Sequence, residues 1–242
     1  MNMLDSFLFV ALPYLALVIF AIGCIYRYRQ SGFTVSSFSS QFLEGRKLFW
    51  GSVPFHWGIV VVFFGHLLAF MFPKTQLLWN SQPIRLIILE VTAFTFGVLV
   101  LVGLVGLIVR RLSQARIRVV TSPADIFIEF LLLAQVILGC WSALGYRWGS
   151  SWFAADLSPY LWSIFKFNPE IGAVQAMPWV IKLHIVGAFL IILLVPFTRL
   201  IHFLMVPLHY VWRPYQVVIW YWDRKKVRRA ETVWTVTRPR NN

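Results

Sequence analysis

The sequence predicts an all-α integral membrane protein built from five spanning helices. Three observations carry that expectation. Apolar residues fill 59% of the 242 positions and charged residues only 13%, about half the charge that keeps the surface of a soluble domain wet. The mean hydropathy is +0.72. The apolar residues also gather into five runs, each near the 20 or so helical residues that cross a bilayer.

The first run, 4–26, ends in Arg27-Tyr28-Arg29. A cleaved leader carries its positive residues ahead of the apolar stretch and a small-residue site behind it. This run has the reverse order and reads as a retained anchor. The second run covers 53–72, and the third, 84–109, opens just after Pro83. The fourth, 125–145, follows Thr121-Ser122-Pro123. Asp125 suits its amino terminus, where an acidic side chain meets free N–H groups and the helix dipole. Glu129, one turn deeper, is placed to pair with Arg110, Arg111 or a basic loop residue. The fifth run, 179–203, contains Pro196, which is expected to kink it. The connection 146–178 carries Trp148, Trp152 and Trp162, which with Trp179 suit an interfacial aromatic belt. A five-helix domain over 1–211 and a basic tail over 212–242 result.

Charge sets the orientation. Alternate sides of the membrane receive four and 16 Lys and Arg residues, and the richer side faces the cytoplasm. The amino terminus is then outside, the tail inside, and the chain a multi-pass protein of the cytoplasmic (inner) membrane. The net charge of +13 follows from this topology and not from a nucleic-acid footprint. Arg224-Lys225-Lys226 and Arg228-Arg229 in the tail suit anionic lipid or a cytoplasmic partner. Cys24 and Cys140 lie in separate apolar runs with no CxxC or CxxCH motif, which argues against a disulfide framework and an attached c-type haem.

The histidines carry the chemistry. An ionisable residue inside a span is costly and marks function by default, and four of the five histidines fall on two spans. His56 and His66 are ten residues apart on the second, about 15 Å along the helix. His184 and His202 are 18 apart on the fifth, about 27 Å and five whole turns, which puts both on one face. In antiparallel helices His66 then pairs with His184 and His56 with His202, with tilted helices and ligand planes absorbing the difference of about 12 Å between the two separations. Two such pairs stacked across the membrane suit two six-coordinate b-type haems, whose filled axial positions favour electron transfer over catalysis at iron. Gly58, Gly65 and Gly187 are expected to clear space for the porphyrins. Di-iron sites need HxxxH or HxxHH clusters, and zinc needs a third close ligand; the sequence has neither. His209, beyond Pro207, is read as a non-ligand.

These residues resemble the gamma, or cytochrome b, subunit of membrane-bound respiratory nitrate reductase. The likeness runs through Arg27-Tyr28, Ser39-Ser40-Gln41, Phe55-His56-Trp57-Gly58-Ile59, Phe64-Gly65-His66 and Arg110-Arg111. It continues through Thr121, Ala124-Asp125-Ile126, Leu183-His184 and Pro196-Phe197-Thr198-Arg199-Leu200-Ile201-His202, and closes with Val206-Pro207, Tyr210 and Tyr215-Gln216. The resemblance implies five helices, two haems b and oxidation of a quinol, menaquinol or ubiquinol, near the outer face. Electrons would pass from the outer haem (His66, His184) to the inner haem (His56, His202). They would then enter an iron–sulfur beta subunit and a molybdenum-containing alpha subunit that reduces nitrate. Arg85 stands where the family carries a quinol-site lysine, His209 replaces an acidic residue, and the tail is longer than expected.

Around the outer haem, Gly65, His66 and Arg85 form the expected quinol site, with Arg85 otherwise an interfacial anchor and Glu90 a proton acceptor or a wet helix end. Arg199 is a candidate contact for an inner-haem propionate, and Tyr28 and Ser39 could touch that haem's edge. Two other readings stand beside this one: a cytochrome b subunit linked to a heterodisulfide or sulfite reductase, and a non-redox membrane anchor or transporter.

Overall fold

The computed structural model describes residues 3–32, 35, 40, 43 and 46–205. The basic tail, His209 and Ser39 lie outside the described residues. Among the described residues every regular element is helical, and five helices are long and apolar enough to cross a membrane. These are α1 (Met3–Ser31), α2 (Arg46–Met71), α3 (Pro83–Ser113), α4 (Pro123–Gly145) and α5 (Trp179–Leu194), the last reaching spanning length with the turn that carries it on to Phe197. Helix α2 begins seven residues before the expected 53, and Pro54 lies inside it without ending it.

Prolines shape the helix ends. Pro13 has no N–H to give the carbonyl of Phe9, four residues back, and α1 widens into a π-helical turn over Phe7–Ala11 just ahead of it. Pro73 likewise has none to give Ala69, and α2 stops there in favour of a short helix, Pro73–Asn80. Helix α4 opens on a reciprocal capping box: Asp125 N–H donates to Ser122 Oγ and Ser122 N–H to Asp125 Oδ2, which satisfies two of the free donors of that terminus.

The expected fifth helix over 179–203 is not continuous. The α-helix ends at Leu194, a 3₁₀ turn occupies Val195–Phe197, Thr198 is extended, and a second 3₁₀ segment runs over Arg199–Met205. Pro196 is the cause, since it cannot donate to the turn before it. The eighteen-residue spacing therefore does not set His184 and His202 on one face of one helix.

Helix α2 lies along α3, α3 packs on α4, and α5 lies against both α1 and α4; α2 and α5 are not among the closely packed pairs. Glycines bring α2 and α3 together. A Cβ on Gly103 would overlap Phe55 N, and one on Gly58 would sit 2.7 Å from Val100 Cγ2 and 2.9 Å from Phe96 O. Small residues at such contacts let the backbones of membrane helices approach closely.

The connection between α4 and α5 is folded, with helical turns over Gly149–Trp152, Phe153–Leu157, Ser158–Phe165 and Gly172–Ala176. It caps one end of the bundle. Leu157, Tyr160 and Ile164 are buried together with Phe9, Leu12 and Ala16 of α1 and Ile181, Ile185 and Phe189 of α5. Its hydroxyls take up the carbonyls that the prolines release: Tyr160 donates to Phe9 O at 2.8 Å and Ser158 to Ala69 O at 3.1 Å. Burial pushes the Tyr160 hydroxyl well above the ordinary phenol range, so it stays protonated as a donor. Trp162 Nε1 adds a bond to Phe70 O at 3.0 Å.

Candidate functional site

Helix α2 carries His56 and His66, α5 carries His184, and the 3₁₀ segment after it carries His202. The ring centres of His56 and His202 lie 6.3 Å apart with their planes at 63°. The His66 ring stands edge-on to Phe153, with ring centres 5.4 Å apart. Of the two expected pairs, 56 with 202 is in ring-to-ring contact.

All four rings are held by the same kind of bond. Nδ1 of His56 lies 2.7 Å from Ser52 O, that of His66 2.8 Å from Val62 O, that of His184 3.1 Å from Gln135 O and that of His202 2.6 Å from Arg199 O. A carbonyl only accepts, so each Nδ1 carries the proton and each Nε2 keeps its lone pair. This is how metal-binding histidines are oriented: the outer nitrogen donates to a fixed acceptor and the inner one is left to coordinate.

The spacing fits a single ion between two rings. With metal–imidazole bonds of about 2 Å, ring centres on opposite sides of one ion stand about 6 Å apart, as His56 and His202 do. Among the described residues no three His, Cys, Asp or Glu side chains gather into a metal site. Two imidazoles alone suit a metal whose other positions belong to a macrocycle, as in a six-coordinate haem. The residues present fit that group.

The glycines divide between two tasks. Among the described residues nothing lies within 4 Å of where a Gly65 Cβ would stand, leaving the flank of α2 open beside His66. Gly58, expected to face a porphyrin, is instead buried in the contact with α3. Gly187 faces Gln135, whose Oε1 would overlap a Cβ there. Gly139, not singled out by the sequence, makes room for the His184 ring, whose Cε1 would lie 3.1 Å from its Cβ.

A polar lattice binds the end of the bundle that carries His56 and His202. Arg199 Nε reaches Asp125 Oδ1 at 2.7 Å and its Nη2 donates to Val120 O at 3.0 Å. The guanidinium expected at a propionate is thus engaged by the protein itself. Arg111 holds Glu129 at 2.7 Å and lies 3.7 Å from Asp125. Buried Arg110 donates to the hydroxyl and carbonyl of Ser40. Arg27 donates to Pro196 O and Thr198 O at 2.8 and 2.9 Å, covering carbonyls that the break after α5 leaves open. Tyr28 is exposed.

At the other end, Arg85 is exposed and sits over the Trp79 ring, 5.3 Å from its centroid, a cation–π contact. Glu90 accepts from Ser150 N at 2.8 Å and Ser150 Oγ at 2.6 Å. It lines a cavity of about 200 Å³ with Arg147, Trp148, Ile87, Val91 and Ala143.

One residue of the site was missed in the sequence. Gln135 accepts from His184 and donates back to His184 O. A lone amide in the middle of the apolar run Leu131–Leu138 was the signal, since polar groups inside a span are costly.

The family model described as nitrate reductase gamma subunit matches residues 5–221. The chain is 34% identical over 216 residues to a nitrate reductase gamma chain of Bacillus subtilis (strain 168), covering 85% of this chain and 94% of that protein. It is 34% identical over 221 residues to the respiratory nitrate reductase 2 gamma chain of Escherichia coli (strain K12), covering 89% and 96%. Against the respiratory nitrate reductase 1 gamma chain of the same bacterium it is 33% identical over 225 residues, covering 90% and 98%. A model matched along nearly the whole chain, and relatives matched along nearly all of theirs, make this multi-pass helical protein a member of the nitrate reductase gamma subunit family.

Proposed function

We propose that this chain is the quinol-oxidising, di-haem cytochrome b subunit of a membrane-bound nitrate reductase, with His66 and His184 holding the outer haem and His56 and His202 the inner one. The observation that carries the reading is the set of four imidazoles, each with Nδ1 on a main-chain carbonyl, together with the 6.3 Å approach of the His56 and His202 rings. Held by these four histidines, a haem at each pair would supply a one-electron relay. Family membership favours nitrate reductase over a heterodisulfide- or sulfite-reductase partner, and paired imidazoles favour redox chemistry over a bare anchor or a transporter.

The basic bias of alternate loops supports an amino terminus outside and a tail in the cytoplasm of the inner membrane. Quinol is then oxidised at the outer end, releasing two electrons and two protons, and the electrons leave inward to the iron–sulfur beta subunit and the molybdenum-containing alpha subunit. Gly65 opens the flank of α2 for a quinol ring beside His66. The α2–α3 contacts at Gly58 and Gly103 set a register in which Arg85 lies about 10 Å outward of His66. From there its planar fork donates to a quinone oxygen.

Reduced-minus-oxidised absorption of the purified chain, with a quinol as reductant, tests the reading. It should give a b-type band of two components. A chain without that band is not a cytochrome b.

A further inference from the structure

His184 differs from its three counterparts. His56, His66 and His202 each bond through Nδ1 to a carbonyl three or four residues back on their own helical segment. Those contacts form as soon as the turn forms. The Nδ1 of His184 instead reaches Gln135 O, 49 residues away on α4, at 3.1 Å, the longest of the four. Its ring direction therefore depends on how α4 and α5 are docked.

Gln135 supplies that docking. Its Nε2 donates to His184 O at 2.9 Å while its own carbonyl receives the His184 proton. The two bonds run in opposite directions between the same two residues and close a ring across the helices. Oε1 of Gln135 is buried without a hydrogen-bond partner among the described residues, a costly arrangement that the amide adopts with its Nε2 aimed at His184. Gly187, three residues past His184, leaves the space in which this amide lies.

We infer that Gln135 is the positioning residue of the outer pair: by clasping His184 from α4 it fixes the ring's direction and the strength of its Nδ1–H bond. The inference rests on the reading of His66 and His184 as haem ligands. A firm bond from Nδ1–H to an acceptor makes Nε2 a stronger donor, and a stronger donor favours the oxidised iron. Loosening the clasp therefore raises the midpoint potential of one haem of the two.

Two substitutions on different helices test this in the assembled membrane protein. Gln135→Leu removes the amide at similar volume. Gly187→Ala leaves Gln135 in place but puts a methyl where Oε1 lies, forcing the flexible amide aside. Both should raise the potential of the haem that His66→Ala removes and alter its low-spin electron paramagnetic resonance signal. The haem that His56→Ala removes should keep both properties, and the double variant should shift no further than either single one. Should Gln135→Leu fail to assemble, Gln135→Met and Gly187→Ala carry the same expectation. Two haems with parental potentials and signals in folded variants would overturn the role of Gln135 alone. A parent chain lacking any b-type band would overturn the haem reading, and this inference with it.

Discussion

Arg199 and Asp125 meet at 2.7 Å, joining the segment that carries His202 to the first turn of α4. Asp125 is buried, and the same carboxylate completes the capping box with Ser122 and lies 3.7 Å from Arg111. The polypeptide turns away from α5 at Thr198, and this ion pair holds the turned segment where His202 faces His56.

Arg199→Ala should loosen that segment. A hydrogen bond to a charged partner is worth about 1.5–3 kcal/mol, and the detergent-solubilised chain should lose stability of that order in thermal unfolding. Retention of the inner haem should fall while the outer haem is kept. Equal loss of both haems would show that the pair supports the bundle as a whole and not His202.

Haem loss should be pairwise. Replacing His66 or His184 by Ala should remove one spectral component, and replacing His56 or His202 the other. His209→Ala should leave both. If the His66 and His202 variants shared a single defect in difference spectra, the pairing would be wrong.

Arg85→Ala should slow the reduction of the haems by quinol at least severalfold in stopped-flow absorption, with both haems still bound and artificial-donor activity of the cytoplasmic subunits unchanged. Arg85→Lys keeps the charge but not the planar fork, so its effect should be smaller yet measurable. Trp79→Ala removes the ring under the guanidinium without removing the charge. It should fall between the two. Parental reduction rates in Arg85→Ala would leave Arg85 as an interfacial anchor.

Tyr160→Phe should cost about 1–3 kcal/mol, since it withdraws the hydroxyl from a buried carbonyl and puts nothing in its place. Tyr160 and Phe9 are each 1% exposed, so water cannot substitute. Thermal unfolding followed by circular dichroism reads the loss. An unchanged midpoint would mean that the carbonyl has found another donor.

A reporter fused after Asn242 should be active only as a cytoplasmic reporter, as the basic loops require. Deleting 217–242 should weaken retention of the partner subunits more than haem content. Full partner retention after the deletion would assign the tail to lipid alone.

The five spans were legible in the sequence because hydropathy alone selects them. Their ends were less so. The apolar run at 53 begins inside a helix that already starts at Arg46, because polar turns outside the membrane core continue a helix without changing its period. Pro196 announced a disturbance, but whether a proline kinks a helix or ends it depends on which groups accept the released carbonyls. Here Arg27 is ready to do so. The approach of His56 to His202 agrees with the direction in which their segments were expected to run, but not with the spacing argument, since Pro196 breaks the helix between His184 and His202. The direction of the histidine rings was not legible, since it rests on carbonyls, one of them from another helix. Gly58 and Gly187 stood near histidines in the sequence and yet serve contacts with α3 and Gln135. Proximity along the chain cannot say which side of a helix meets a cofactor and which meets a neighbour.

The acceptors left by Pro13 and Pro73 have a bearing on biogenesis. Their donors, Tyr160 and Ser158, are synthesised about 150 and 90 residues later than Phe9 and Ala69. When the ribosome has delivered only the first two spans, these carbonyls have no protein donor from that connection and must stay near interfacial water, because hydrocarbon tolerates no unpaired backbone groups. The amino-terminal hairpin can therefore enter the bilayer but cannot settle to its final depth until the chain between α4 and α5 arrives. The connection between α4 and α5 acts as a latch on the earliest insertion event, and nascent chains halted before it should remain open to extraction and proteolysis.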